Sequence, residues 1–366
     1  MRIERIGLTN FRNFSSADVE FAPRRNLVLG PNAQGKTNLL EAIHILCVGR
    51  SHRDRKDENL VKFGETFYRL EGTIEHIGVR TTIEVAYGDE RKRIRVNAKE
   101  TRPANLIGLT PVVASSPEDI DLIKRSPGYR RTFLDMALSQ LSREYLVTLQ
   151  QYMKALAHRN VLIRRRQEGG VSRRETDVWD QAVVDSGERI VTARIGFLAE
   201  IEPRVEENFS VMSGAVTGIE LIYEPRGYSL EGAASGVREG LNAALEATRQ
   251  LELARGFTLF GPHVDDFKFL CGGRDIRLFG SEGEQRTAVL ALTCAEVSLI
   301  RAKAGYYPIV LLDDVFAELD EARSRALTSL ISNFDQIILT SSRSAPPAEG
   351  EIEEIMVAEG RISYGG

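Results

Sequence analysis

An eight-residue segment dictates the structure around it: Gly30-Pro31-Asn32-Ala33-Gln34-Gly35-Lys36-Thr37. It follows an apolar run at 27–29 and opens a segment with helical spacing that begins at Asn38. The pattern G-x-x-x-x-G-K-[ST] between a strand and a helix predicts a loop that cradles phosphates with inward-pointing N–H groups and a helix N-terminus. A glycine-rich turn that matches by chance would not need this flanking strand and helix. We therefore expect residues 30–38 to bind a nucleoside triphosphate, with Lys36 on the β- and γ-phosphates and the Thr37 hydroxyl on Mg²⁺.

The composition is that of an ordinary globular chain. Its 366 residues are 42% hydrophobic and 27% charged, enough for two or three domains. The apolar runs are too short to span a bilayer, and the first residues lack the apolar core of a signal peptide. Cys47, Cys271 and Cys294 lie far apart and show no metal-ligand spacing. We expect a cytoplasmic protein with no membrane partner.

The net charge of -4 conceals an asymmetry along the chain. Residues 1–200 carry 33 Lys and Arg against 26 Asp and Glu, whereas the remainder carries 15 against 26. The basic residues cluster at 50–56, 91–95, 124–131, 164–166 and 173–174. Any one cluster can be a solvated face, but several of them beside a nucleotide site favour binding of a polyanion such as DNA.

The coarse pattern predicts two kinds of structure. Alternating or continuous apolar runs predict strands near 3–8, 18–21, 27–29, 67–74, 79–87, 93–96, 111–114, 309–313 and 336–341. Apolar residues every three or four positions predict one long helix over 134–156 and a second over 179–201, joined by a polar turn as a short helical hairpin, and a further helix over 237–255. The expected fold class is α/β, a P-loop lobe with a β-rich layer and a mostly helical second lobe. The expected division is 1–113 and 300–366 for the ATPase lobe and 114–299 for the helical lobe.

Ser281 and Gly283 stand before an apolar helix, in the segment Ser281-Glu282-Gly283-Glu284. One interpretation is a capping box, in which Ser281 and Glu284 satisfy the helix N-terminus without any ligand. The other is an anion site in which Ser281 and Gly283 meet a γ-phosphate. Both interpretations stay open, because a capped helix N-terminus can also serve such a site.

The apolar strand at 309–312 runs into Asp313 and Asp314. Beside a P-loop, this pattern predicts the second half of an ATP site. We expect Asp313 to hold the Mg²⁺ shell opposite Thr37 and Asp314 to orient the attacking water. A simple turn is the alternative. We take Lys36, Asp313, Asp314 and Ser281 as the candidate catalytic residues.

The order of these motifs is that of ATP-binding-cassette ATPases, and the detail resembles the RecF family of recombination mediators. The resemblance covers the whole chain and rests on LTNFRNF (8–14), GPNAQGKTNLLEA (30–42), SPED (116–119), GPH (261–263), SEGEQR (281–286) and LLDDVFAELD (311–320). It implies a bacterial ATPase built like the head of an SMC protein without the long coiled coil. It also implies ATP-driven homodimerisation, DNA binding at junctions or gaps, and work with RecO and RecR in loading RecA.

The resemblance further assigns roles to residues. Ser281 of one subunit would complete the γ-phosphate site on Lys36 of the other, and residues 318–320 would match the D-loop at the dimer interface. Glu284 stands where many relatives have Gln, and Val264 where Arg is frequent. Thr340 or Ser341 would replace the His that transporters carry, and Asp314 replaces a Glu, so we expect slow, DNA-stimulated hydrolysis.

Other classes of function can be weighed against this one. A transporter ATPase would need a membrane-coupling partner, a small-molecule kinase would need an acceptor-binding lid, and a GTPase would need an N-K-x-D motif, which this sequence lacks. The closest alternative is an SMC-like head that organises DNA structurally and has no role in RecA loading.

Overall fold

The fold is described from a computed structural model, which covers residues 1–54, 56–170, 173–214, 218–230, 236–342 and 351–364, without the side chains of residues 173 and 174. Of the predicted basic clusters, Arg55 and the Arg173 and Arg174 side chains lie outside the described residues. The Gly- and Ala-rich sequence over 227–240 predicts a loop or linker, and its residues 231–235 also lie outside them. The chain forms two compact units. The first unit is Met1–Asp119, Glu207–Val216 and Arg286–Gly366, and the second is Ile120–Glu206 and Thr217–Gln285.

Groups of strands and groups of helices follow one another along the described chain. Strands β1 to β15 span, in order, Arg2–Phe11, Phe14–Glu20, Arg25–Leu29, Tyr68–His76, Val79–Gly88, Arg91–Val96, Lys99–Thr101, Val112–Ser115, Ile219–Glu224, Asp266–Cys271, Arg274–Asp275, Ile309–Asp313, Gln336–Ser341, Glu353–Ala358 and Arg361–Tyr364. Helices α1 to α9 span Lys36–Val48, Asp121–Lys124, Pro127–Leu141, Arg143–Gln167, Arg173–Ser213, Gly236–Arg255, Ile276–Phe279, Glu282–Ala304 and Glu321–Ile331. Among the described residues, no helix combines the length and apolarity needed to cross a membrane.

The first unit contains two six-stranded sheets. One is antiparallel, in the order β2-β1-β4-β5-β6-β7, and its strands alternate between buried and exposed side chains. The other has the order β15-β14-β3-β13-β12-β8 and is parallel except for β15. Strand β12 is buried at every position, as expected of a central parallel strand with an unbroken apolar sequence. The predicted P-loop core and β-rich layer are both confirmed.

The second unit is mostly helical, but one predicted helix is wrong. The stripe over 134–156 forms two helices, α3 and α4, because Ser142 adopts an extended backbone conformation between them. The Ser142 hydroxyl accepts a hydrogen bond from the Tyr145 N–H at 3.1 Å and so caps the start of α4. The second stripe lies within α5, which is 41 residues long. The predicted helix over 237–255 is α6.

The division into units differs from the predicted lobe boundaries. The predicted boundary at 299/300 falls inside α8, whereas the first unit resumes at Arg286. Residues 207–213, the end of α5, also belong to the first unit, where the Asn208 side chain donates to the Ala291 carbonyl at 3.1 Å. Helical periodicity is continuous along α5 and α8, so the pattern alone carries no sign of where a unit ends.

Candidate nucleotide site

The P-loop connects β3 to α1 in the first unit, and its glycines are required by their surroundings. Gly35 has φ of 116°, in the region that favours glycine, and a Cβ there would stand 2.7 Å from the Asn13 side chain. A Cβ on Gly30 would collide with the Val357 carbonyl oxygen. The turn that these residues make therefore depends on glycine at both ends of the loop.

The N-terminus of α1 is arranged for an anion. Gly35 is its N-cap, no side chain of the described residues caps it, and its first turn has no acidic residue. The first N–H groups of α1 therefore face the loop without an internal partner, which suits a phosphate. The Lys36 ammonium is buried and donates to the carbonyls of Gly30 at 2.7 Å and Pro31 at 3.0 Å, so it lies inside the loop.

Asn13 supports the P-loop through hydrogen bonds to Gln34 and Asn38. The sequence motifs did not predict this role. The Asn13 amide donates to the Gln34 carbonyl at 2.7 Å, and the Asn38 amide donates to Asn13 Oδ1 at 2.9 Å. The Gln34 side chain accepts from the Glu359 N–H at 2.6 Å. Asn13 thus links the loop to the first turn of α1. Its only signal in the sequence was its place in the segment 8–14.

The two aspartates lie at the same edge of the parallel sheet as the P-loop. Asp313 pairs with Thr340 across β12 and β13, and Ser341 pairs with Leu29 across β13 and β3. The carboxyl ends of parallel strands meet at one edge, so Asp313 and the start of the loop share that edge. The Thr340 hydroxyl donates to Asp313 Oδ1 at 2.5 Å and accepts from the Asp314 N–H at 2.9 Å. Thr340 therefore contacts the Asp313 carboxylate and the Asp314 backbone.

These residues fit ATP and Mg²⁺. The uncapped α1 N-terminus and the Lys36 ammonium match phosphate groups, and the Thr37 hydroxyl and Asp313 carboxylate are oxygen donors of the kind that Mg²⁺ binds.

Ser281 lies in the second unit, and its capping-box interpretation is confirmed. The Ser281 N–H and hydroxyl both donate to Glu284 Oε2, at 2.7 and 2.8 Å, while the Glu284 N–H donates to Ser281 Oγ at 3.3 Å. Gln285 donates to the Gly280 carbonyl at 3.2 Å and closes the turn before Ser281. Gly283 lies in the first turn of α8. The γ-phosphate role of Ser281 and Gly283 stays a prediction.

Residues 318–320, expected to act as a D-loop, lie between β12 and α9. Glu318 forms an ion pair with Arg286, and Asp320 caps α9 by accepting from the Arg323 N–H at 2.8 Å. Both contacts lie within the first unit. They fix the segment locally, and its role at an interface stays a prediction.

His263 of the Gly-Pro-His segment is a structural residue. Its ring nitrogens contact the Tyr152 hydroxyl at 2.6 Å and the Thr258 carbonyl at 3.2 Å. Burial lowers the pKa of His263 to about 4, so the ring is neutral near pH 7. The adjacent Asp265 accepts from the hydroxyls of Tyr223 and Tyr228. This part of the motif holds the second unit together.

The predicted basic clusters differ in what they present to solvent. Arg130 is buried in a bidentate pair with Asp266, at 2.7 and 3.0 Å, and is therefore structural. By contrast, Arg91 and Arg93 both lie on the exposed face of β6. Neither of them forms an ion pair with an acidic residue in the described chain. Arg50 is likewise exposed and unpaired among those residues. The clusters at 50–56 and 91–95 thus keep free positive charge.

Comparison with known proteins places this arrangement in a family. Residues 2–356 match the RecF/RecN/SMC N terminal domain. The chain is 39% identical over 345 residues to the DNA replication and repair protein RecF of Heliobacterium modesticaldum, covering 93% of this chain and 92% of the relative. It is 37% identical over 344 residues to the protein of the same name from Halalkalibacterium halodurans, covering 93% of each. The chain belongs to the RecF family.

Solved structures agree on the fold. This RecF-family chain matches the recombination mediator protein RecF-ATP in the RecFOR pathway with a TM-score of 0.91 and 33% identity, covering 100% of this chain and 97% of the other. An SMC head bound to the C-winged helix domain of ScpA matches with a TM-score of 0.59 and 16% identity, over 100% of this chain and 97% of the other. The second match shows the fold alone, which is the predicted SMC-like head.

Proposed function

We propose that this RecF-family chain is an ATP-dependent DNA-binding protein of recombinational repair at DNA gaps, acting in the bacterial cytoplasm. The observation that carries this proposal is that the P-loop and the Asp313–Asp314 pair share one edge of the parallel sheet, where the Thr340 hydroxyl binds the Asp313 carboxylate and the Asp314 N–H. Relatives described as DNA replication and repair proteins, and a solved RecF-ATP structure, support the same reading.

In this proposal each residue of the site has a defined task. The first N–H groups of α1 and the Lys36 ammonium bind the β- and γ-phosphates, and the Thr37 hydroxyl and Asp313 carboxylate hold Mg²⁺. Bound Mg²⁺ supplies charge neutralisation at the phosphates. Asp314 orients the attacking water. Its backbone N–H donates to the Thr340 hydroxyl at 2.9 Å. Hydrolysis in this proposal is slow and stimulated by DNA.

ATP acts in this proposal as a ligand that joins two copies of the chain. Ser281 and Gly283 of one subunit would contact the γ-phosphate held by Lys36 of the partner, so nucleotide binding favours the dimer. The joined subunits would clamp DNA at a gap or junction, and hydrolysis would release them. RecO, RecR and RecA are the partners that the family implies.

DNA affinity in the clamp would come from phosphate contacts. Arg91 and Arg93 on β6, with Arg50 and Arg53, are the exposed cations that best fit this role. Such contacts are independent of base sequence and weaken with salt. An SMC-like structural head would bind DNA similarly. The identity of 37–39% to RecF proteins, against 16% to an SMC head, favours the repair role.

The direct test is ATP-dependent binding to a gapped duplex. We expect Lys36→Ala to abolish binding of a fluorescent ATP analogue and the ATP-dependent part of DNA binding. Lys154→Ala, an exposed lysine on α4, is the matched control and should behave as wild type. If Lys36→Ala binds the nucleotide normally, the site is wrong. If ATP-loaded wild type fails to capture RecR, the structural-head alternative replaces the repair role.

A further inference from the structure

Glu41 is a buried carboxylate one helical turn beyond Thr37, and it has no place in the mechanism above. It is 0% exposed. Arg12 holds it with two hydrogen bonds, Nε to Oε2 and Nη2 to Oε1, both at 2.9 Å. The Ser51 hydroxyl donates to Oε1 at 2.5 Å. Burial alone would raise the pKa of Glu41, but the bonds from Arg12 and Ser51 outweigh it and lower the pKa, so the group is a carboxylate at neutral pH.

Ser51 is the centre of the basic loop, which we define as residues 50–54 and Lys56. Its hydroxyl oxygen accepts from the N–H groups of Arg53 at 2.9 Å and Asp54 at 3.0 Å. The same oxygen that organises the loop backbone is therefore bound to Glu41. The loop carries the exposed cations Arg50 and Arg53. Its backbone conformation is thus tied to α1 through this hydroxyl and through the Arg50 carbonyl, which lies 3.2 Å from His44 Nδ1.

The other side of Glu41 leads to the nucleotide site. Arg12, its bidentate partner, directly precedes Asn13, which holds both the P-loop carbonyl of Gln34 and the Asn38 side chain. Asn38 Oδ1 in turn lies 3.5 Å from Arg53 Nη1. Asn38 and Glu41 are three residues apart and lie on neighbouring positions of one face of α1. The hydrogen bonds that support the P-loop and those that hold the basic loop thus both involve the Asn38 and Glu41 side chains or their direct partners.

We propose that Glu41 is a positioning residue that couples nucleotide binding at the P-loop to DNA phosphate binding by the basic loop. A phosphate that binds the first N–H groups of α1 changes the forces on the first turn of the helix. If α1 moves in response, the Glu41 carboxylate moves with it and displaces the Ser51 hydroxyl. The Arg53 and Asp54 N–H groups, which bind the same hydroxyl, then move as well. The inference rests on the proposed function, because it needs both an ATP site and DNA contact by the basic loop.

Ser51→Ala tests this coupling most cleanly. Glu41→Gln also weakens the partner of Arg12 and can unfold the chain. Ser51→Ala leaves the Arg12–Glu41 pair in place and removes the bond to Glu41 together with the two loop bonds to the Arg53 and Asp54 N–H groups. Ser51→Thr keeps the hydroxyl and should rescue it. Ser16→Ala makes the same chemical change at an exposed position of β2 and is the control. The assay is fluorescence anisotropy of a labelled gapped duplex, with and without a non-hydrolysable ATP analogue and Mg²⁺.

We expect the analogue to raise the DNA affinity of wild type, Ser51→Thr and Ser16→Ala. In Ser51→Ala this increase should shrink by about tenfold, the scale of one hydrogen bond to a charged group. Its affinity for the analogue without DNA, and its dimer mass, should match wild type. Coupling is reciprocal, so DNA should also raise analogue affinity less in this variant.

Two results would overturn the inference. Ser51→Ala could keep the full nucleotide-dependent increase, or it could lose DNA affinity equally with and without the analogue, which would make Ser51 a plain DNA contact. A wild-type chain whose DNA affinity ignores the nucleotide, although it binds the analogue, would instead overturn the proposed function. The wild-type measurement alone separates these failures.

Discussion

Glu284→Gln should make ATP-driven dimerisation easier. In the structure, the N–H and hydroxyl of Ser281 both donate to Glu284 Oε2. These are the two donors that a γ-phosphate from a partner subunit would use. The phosphate must therefore displace a carboxylate and then remain close to its negative charge. A glutamine keeps the size and the accepting oxygen of the side chain but removes the charge.

The size of the effect follows from the distances. Ser281 binds the carboxylate at 2.7 and 2.8 Å, so a phosphate oxygen on the same donors would lie about 4 Å from it. Two unit charges at 4 Å repel by about 1 kcal/mol in water and about 4 kcal/mol at an effective dielectric constant of 20. Glu284 is half-buried and salt screens the pair, so the lower end applies. We expect a gain of about 1 to 1.5 kcal/mol, a five- to tenfold lower ATP concentration at half-dimerisation.

The assay is mass photometry or light scattering over an ATP titration with Mg²⁺. Glu282→Gln is the matched control. It removes the same charge two residues away in sequence, but the Glu282 carboxylate pairs with Lys124 at 3.2 Å rather than with Ser281. We expect this control to follow wild type. An ATP concentration at half-dimerisation that Glu284→Gln leaves unchanged or raises would refute this prediction. So would an equal shift in Glu282→Gln.

Three further predictions concern charge. Arg93→Ala should reduce the slope of log DNA affinity against log salt concentration by about 1, and an unchanged slope would remove Arg93 from the DNA surface. Arg194→Met removes a buried guanidinium that binds Asp135 at 2.7 Å, and urea unfolding should show a loss of about 3 kcal/mol that the exposed Arg189→Met does not share. Burial, with the nearby charge of Asp119, raises the pKa of Glu296 to about 8. The folded state therefore keeps a proton that the unfolded state releases above pH 4.5, so stability falls as pH rises from about 4.5 to 8. Glu296→Gln should abolish this part of the fall; an identical pH profile would contradict it.

The parts of the site that the sequence predicted are those encoded in short segments. The P-loop glycines, Lys36 and the Asp313–Asp314 pair each follow a strand, and the parallel register brings those strand ends to one edge. The roles of Asn13 and Glu41 could not be predicted this way, because their partners lie 10 to 29 positions away in sequence. Only the resemblance of the segments 8–14 and 30–42 hinted at them.

Elsewhere, local patterns misled for identifiable reasons. The apolar stripe over 134–156 stays nearly in phase across Ser142, so periodicity could not reveal the extended residue that separates α3 from α4. Arg130 reads as a surface cation in a basic cluster, yet its acid partner Asp266 is 136 positions away. The short sheet of β9, β10 and β11 also went unpredicted, in part because β9 pairs with β10 across α6. The errors at Arg130 and at β9 concern contacts made at long range, whereas the break at Ser142 is local.

The central claim is that ATP joins two copies of this chain through Ser281 and the P-loop site. The most direct measurement is the mass in solution, with and without ATP and Mg²⁺, for wild type, Asp314→Asn and Ser281→Arg. We predict an ATP-dependent dimer that Asp314→Asn makes persistent and Ser281→Arg abolishes. A mass that never responds to ATP, in a chain that binds it, would contradict the composite site.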